Sequence, residues 1–531
     1  MEPKKKVLVS ERIADEGIEV LKTELDVDYL ENITREELLQ VIDQYDALVV
    51  RSVTKVDEEL IAKGVNLKIV GRAGNGVDNI DVPTCSRYGV MVANTPDSNT
   101  ISAAEQTIAL LLASCRNTAW ASETLKGGVW DRKPFRGVEL YGKTVGIVGL
   151  GRIGSMVATR LGAFNMKVIA YDPYIPDERF ERFGAEKKAT LAELVQESDF
   201  ISVHTPKTEE TFHMINAEML TLARDGVRLV NCARGGIIEE SAIIDGLKSK
   251  KVASAGIDVF EKEPDTENQI FSFANTVVTP HLGADTFEAQ KRVGEDIAHQ
   301  VIKALQGEIV PNLVNLPAML REELDYLRPY ITLAEKMGNL CYQMKRAPMS
   351  RVELTFSGPI TRNETEILTA AFLKGLLEPV MGEKVSYVNS RLMAEDRGVK
   401  LHERRLTESN RRYRNIISAQ ILDAGEEVRL EGSTSRAKEP ILVGINGYET
   451  EAHMEGYIVI AENIDKPGVI GRFTTILGEV KVNIAGMTVA RHRKGEEAIM
   501  LVNVDNKVES HILDQLEKVD GILKRPILLH L

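Results

Sequence analysis

The chain has 531 residues, enough for about three to five domains at roughly 100–200 residues each. Hydrophobic residues make up 43% and charged residues 27%, a globular composition that excludes a chain dominated by disorder. Lys and Arg (66) against Asp and Glu (79) leave a net charge of −13, which argues against broad binding to nucleic acid or to anionic membranes.

Short apolar runs at 7–9, 47–50 and 67–70 predict strands, and apolar spacing over 13–25 predicts a helix. Gly64, Gly71, Gly74, Gly76, Pro83 and Gly89 punctuate this region. Strands alternating with helices imply parallel βαβ units. One helix is expected over 102–125, stopped at Gly127 and Gly128. A strand over 144–148 then runs directly into Gly149-Leu150-Gly151-Arg152-Ile153-Gly154, and the alternation resumes up to about residue 280. A helix over 289–305 follows. From about residue 318 the texture changes. Leu324, Leu327, Ile331, Ala334 and Leu340 make an amphipathic helix, and Val352, Leu354 and Phe356 alternate as a half-exposed strand. Asn363, three residues before Glu366, reads as the N-cap of a helix over 367–380. From Tyr457 the order strand–helix–strand–strand–helix–strand is the ferredoxin-like split βαβ plan. No apolar run approaches the roughly 18 residues of a membrane span, so a cytoplasmic protein without membrane contact is expected. The four cysteines form no Cys-x-x-Cys pair, which points away from disulfides and from a metal site.

The glycine run is the sharpest local signal. A buried strand precedes it, a helix follows, and an acidic residue stands roughly 20 positions on, the context that a dinucleotide fingerprint requires. Gly149 permits the tight turn, Gly151 lets the backbone approach a pyrophosphate, and Gly154 lets strand and helix pack closely. The amides of Arg152 and Ile153 open the helix, where free N–H groups favour phosphate. Asp172 ends the strand over 167–171, where its carboxylate would accept the ribose hydroxyls. It would repel a 2′-phosphate, so NAD is expected rather than NADP.

Three further segments follow predicted strands and carry chemistry. Arg234 lies in Cys232-Ala233-Arg234-Gly235-Gly236, Glu263 in the stretch 258–264, and His281 in Pro280-His281-Leu282-Gly283. Ligands of open α/β sheets bind beyond the carboxyl ends of strands, so the three side chains are expected to converge. Arg234 has the planar fork that grips a carboxylate. His281 suits proton transfer at a hydroxyl or carbonyl oxygen, and Glu263 suits its orientation. Arg51 and Arg72 follow strands and are expected to face the same cleft, where a phosphorylated substrate would need cations beyond Arg234. The backbone between Gly74 and Gly76 can approach a carboxylate.

These motifs closely resemble those of the D-isomer-specific 2-hydroxyacid dehydrogenases, over essentially the whole chain. The resemblance implies an α/β fold in which a Rossmann-type nucleotide domain is inserted in a flavodoxin-like substrate domain. An α+β intervening domain and a ferredoxin-like ACT domain follow. The implied boundaries are 1–98 and 282–318 for substrate binding, 99–281 for NAD, 319–452 for the intervening domain and 453–531 for the ACT domain. Arg234 would bind substrate, Glu263 support the histidine and His281 transfer the proton. The cofactor contacts would fall on Asn75, Arg152, Ile153, Asp172, Thr205, Cys232, Asp258 and Gly283. Arg132 resembles an arginine that a neighbouring subunit lends to the phosphate, in a homo-oligomer, expected to be a tetramer. The long form implies oxidation of 3-phosphoglycerate with NAD, at the entry to serine synthesis. Asn463, Asp465 and Asn483 would receive L-serine as an effector. The alternatives are a hydroxypyruvate or glyoxylate reductase, and a non-enzymatic corepressor-like protein sharing the fold.

Overall fold

A computed structural model describes residues 3–317, 319, 321–345, 349–409, 412–423 and 426–531. The described residues build four sheets. The first holds the parallel strands Lys6–Val9, Asp26–Tyr29, Ala47–Val50, Ile69–Arg72 and Met91–Ala93 in the order 2-1-3-4-5, a flavodoxin-like arrangement. Ala47–Val50 is buried on both faces, which is why it reads as an unbroken apolar run.

The second sheet is inserted between the fifth strand and the chain's return. Its seven parallel strands begin at Thr144–Val148, Lys167–Tyr171 and Glu186–Lys187, then turn back through Phe200–Val203, Val227–Asn231, Val252–Ile257 and Thr276–Val278. The order reverses between Thr144–Val148 and Phe200–Val203, and that switch point is where a doubly wound sheet opens its binding crevice. The helix Phe287–Leu305 then packs against Asp15–Glu24 and Ile69–Arg72. Ala93 bridges Leu313, so the returning chain completes the first lobe.

The helix expected over 102–125 is two helices, Thr100–Arg116 and Thr118–Lys126. Asn117 separates them at φ 53°, a left-handed conformation that asparagine tolerates better than most side chains.

The third sheet joins Lys400–Leu406 in parallel to Arg351–Ser357, then continues antiparallel through Ile416–Asp423, Glu426–Thr434, Pro440–Ile445 and Tyr448–His453. The helices Arg321–Lys345 and Glu366–Met381 pack together with their backbones almost touching. A Cβ at Gly338 would collide with the Phe372 carbonyl, and one at Gly375 with the Glu335 carbonyl. Asn363 is not the cap expected of it. It ends the short turn Pro359–Arg362, while Thr365 stands at the helix N-terminus without a side-chain capping bond.

The fourth sheet runs Ile484–Arg491, Glu497–Val504, Tyr457–Ile464, Ile527–His530, all antiparallel. Its helices Val469–Glu479 and Ser510–Glu517 bury Phe473, Leu477 and Leu516 with Met500, giving the ferredoxin-like unit its core.

Candidate active site

The glycine run lies at the switch point of the second sheet. Gly149 adopts φ +90°, with the His204 backbone directly beside it. A Cβ at Gly154 would collide with the Gly149 carbonyl, whereas one at Gly151 would meet nothing within 4 Å. The helix Arg152–Ala163 carries no side-chain cap, leaving its first amides free for an anion. Asp172 accepts the Leu150 amide at 2.9 Å and the Tyr174 amide at 3.0 Å, which ties the end of its strand to the glycine turn. Beside Gly149 the Thr205 hydroxyl is buried, with no partner among the described residues. An open backbone cradle, an uncapped helix and an orphaned hydroxyl are what a dinucleotide's phosphates require.

His281 and Glu263 meet as expected. His281 Nδ1 lies 2.6 Å from Glu263 Oε2, and the Phe260 amide donates to Oε1 at 2.8 Å. Burial alone would raise the Glu263 carboxyl. The bonds from His281 and Phe260, with the nearby His281 and Arg234 charges, outweigh it and hold the group below its ordinary value. The His281 side chain is half exposed.

Asp258 sits beneath this pair, fully buried. Its carboxylate accepts the Thr279 hydroxyl at 2.5 Å and the Leu282 and Gly283 amides at 2.8 Å each. His281 itself holds φ 55°, and its amide donates to the Asp258 carbonyl at 2.9 Å. The aspartate thus shapes the turn that presents the histidine. Cys232 bonds to Thr107, and burial pushes its thiol up to about 12, so it stays protonated at neutral pH.

Arg234 reaches across to the first lobe. Its Nε lies 3.3 Å from Asp78 Oδ2, a contact the sequence did not signal, and a Cβ at Gly76 would collide with its guanidinium. Arg72 lies against Gly74. Its guanidinium is pushed down to about 10 by burial and by the neighbouring Arg234 and Arg51 charges, and its Nε has no partner. Three guanidinium groups therefore crowd one mouth between the lobes. Asn75 is fixed nearby through its carbonyl, which accepts the Asn94 amide at 2.6 Å. Arg132 stands apart in its own chain, exposed and 6.0 Å from the centroid of the Trp130 ring.

The residues expected to receive an amino acid are not gathered within one chain. Asn463 pairs with Ala498, while Ile484, beside Asn483, pairs with Val504 on the same strand. Six residues separate those positions, roughly 20 Å at 3.3 Å each. Asn463 is 2% exposed and its Oδ1 is orphaned. Asp465 bonds to Arg491 and to the Gly495 amide, and Asn483 bonds to Asp505 at 2.7 Å.

Comparison with known proteins places these features in a family. Residues 108–283 match the NAD-binding domain of D-isomer-specific 2-hydroxyacid dehydrogenases, 326–446 match the D-3-phosphoglycerate dehydrogenase intervening domain, and 457–521 match the ACT domain. The D-3-phosphoglycerate dehydrogenase of Methanocaldococcus jannaschii is 41% identical over 97% of this chain and 98% of its own. That of Bacillus subtilis is 39% identical over 98% of each. The chain belongs to the D-3-phosphoglycerate dehydrogenase family. The family's shorter structural kin include the D-lactate dehydrogenase of Aquifex aeolicus, solved with NAD and lactic acid. It superposes at a TM-score of 0.53, 29% identical, over 59% of this chain and 100% of its own. A glyoxylate reductase of Paecilomyes thermophila aligns at 0.55 and 30%, over 59% of this chain and 98% of its own. The inserted lobe is thus an NAD-binding domain, and the family's intervening and ACT domains follow it.

Proposed function

We propose that the protein oxidises 3-phospho-D-glycerate to 3-phosphohydroxypyruvate with NAD, as the first step of L-serine synthesis. The observation that carries this reading is the crowding of Arg51, Arg72 and Arg234 beside the His281–Glu263 pair. A substrate bearing a carboxylate and a phosphate dianion adds negative charge to a cluster that Asp78 and Glu11 offset only in part. A lactate-like acid would engage Arg234 and leave the other two uncompensated.

The 149–154 turn, the amides of Arg152 and Ile153, Asp172 and Thr205 would hold the cofactor, with Asn75, Cys232, Asp258 and Gly283 as further contacts. When bound, NAD supplies the hydride acceptor. Arg234 and the backbone of Gly74 and Gly76 orient the substrate carboxylate. Arg72 and Arg51 take the phosphate, and Arg132 of a neighbouring copy joins them. His281 Nε2 takes the hydroxyl proton as the carbonyl forms, while Glu263 holds Nδ1 and offsets the positive charge that the ring gains. Substituting His281 by Ala should lower kcat for 3-phosphoglycerate by about 10²–10⁴-fold and leave NADH binding intact. Undiminished turnover would assign the proton transfer to another group.

The protein acts as a homo-oligomer, a tetramer in this reading, in which a neighbouring copy would bring Arg132 and Asn483 to the sites they serve. L-Serine would bind where the Asn463–Asp465 loop of one ACT domain meets Asn483 of another copy. The orphaned Oδ1 of Asn463 supports a polar ligand there.

A further inference from the structure

The turn at 51–54, which carries Arg51, is held from two sides. Glu11, just past the strand Lys6–Val9, accepts three of its backbone amides. Oε1 takes those of Arg51 and Thr54 at 2.9 Å each, and Oε2 that of Val53 at 3.0 Å. From the other side the Asn79 amide donates to the carbonyls of Arg51 at 2.9 Å and Thr54 at 2.6 Å. Ser10 and Thr54 pair their hydroxyls at 3.0 Å. Among the described residues the Arg51 guanidinium makes one long bond, 3.3 Å to the Arg12 carbonyl, so its place depends on the turn.

Successive amides converging on one point form a nest that binds anions. Here the nest is filled by the chain's own carboxylate, and amide bonds to an ionised oxygen are among the stronger hydrogen bonds. An incoming phosphate cannot use those N–H groups.

We propose that Glu11 is a positioning residue for phosphate recognition. It occupies the amide nest of 51–54, fixes the turn that presents Arg51, and leaves the guanidinium rather than the backbone to meet the phosphate. This rests on the reading of Arg51 as a phosphate ligand. Glu11 touches neither substrate nor cofactor in this role; it acts through the turn, and its charge also bears on the neighbouring Arg72.

The test compares phosphohydroxypyruvate and hydroxypyruvate reduction, with NADH, in wild type, Glu11→Ala, Glu11→Gln and Arg51→Ala. Glu11→Ala should raise KM for phosphohydroxypyruvate on the order of 10-fold, since small misplacements of a binding group are costly. Its kcat and its KM for hydroxypyruvate should hold. Glu11→Gln keeps one acceptor oxygen and should recover part of the loss; if the alanine variant does not fold, the glutamine variant carries the test with a smaller shift in the same direction. Equal change for both substrates, or none for either, overturns the proposal. If Arg51→Ala raises that KM and Glu11→Ala does not, only the positioning role falls. If Arg51→Ala leaves it unchanged, the reading of Arg51 falls and takes the role of Glu11 with it.

Discussion

Arg72 and Glu263 show how one cleft tunes opposite charges. Arg72 is half-buried, has no partner at Nε among the described residues and stands beside two like charges. It is costly until an anion arrives. Arg72→Ala should therefore weaken the phosphorylated substrate far more than hydroxypyruvate, by about 1.5–3 kcal/mol for a lost charge-assisted bond. Steady-state KM values for the two substrates check this, and equal weakening would assign Arg72 to the fold or to the carboxylate. Glu263 is the converse case, an acid held below its ordinary value by His281 and the Phe260 amide against the effect of burial. A carboxyl with a depressed folded-state pKa stabilises the protein above its unfolded value, and that contribution vanishes as pH falls through the folded value. The stability gap between wild type and Glu263→Gln should accordingly be full at neutral pH and close below about pH 4, near and under the ordinary glutamate value. A gap that persisted unchanged at lower pH would show that the glutamate acts by packing alone.

Periodicity made most elements legible. Buried parallel strands such as Ala47–Val50 and Thr144–Val148 stand out because both faces are apolar, and the glycine turn is legible because its constraints are local. Arg234 and Glu263 are legible because each follows such a strand, and His281 because it follows the half-exposed strand Thr276–Val278. Asn117 and Asn363 were misread because a left-handed break and a turn ending leave no distinct mark on a helical pattern. Glu11 and Asp78 were not legible at all. Each acts on a segment some 40 or 156 residues away, through folding alone. The helix pair Arg321–Lys345 and Glu366–Met381 offers a test at this scale. Gly375→Ala gains about 1 kcal/mol of helix propensity but drives a methyl into the Glu335 backbone, and overpacking of that kind costs about 1–3 kcal/mol. The variant should be less stable to urea than wild type; a more stable one would show that the helices separate freely.

Across the molecule the lobes are tied in series. Lys68 bonds Glu383 at 2.6 Å between the first lobe and the intervening domain, and Arg328 bonds Glu308 at 2.8 Å at the connection. Beyond it, Thr488 donates to the Glu451 carbonyl at 2.8 Å and Asn503 to the His453 carbonyl at 3.0 Å, while Gln343 pairs with the His530 backbone. A ligand that shifted one ACT domain against another would pull on this series. Coupling of that kind typically amounts to ~1–3 kcal/mol. L-Serine should lower activity in wild type, and Asn463→Ala should keep activity and lose the response; equal inhibition of both would remove Asn463 from the effector site. The same whole-molecule view explains how a chain of net charge −13 serves a multiply charged anion. Arg51, Arg72 and Arg234 bring positive charge together at one mouth, where low-dielectric walls focus it. That claim is tested most directly by NAD reduction with purified wild-type protein, comparing kcat/KM for 3-phospho-D-glycerate with that for D-glycerate. The arginine cluster predicts a strong preference for the phosphorylated acid, carried by KM. Equal or better turnover of D-glycerate would contradict it.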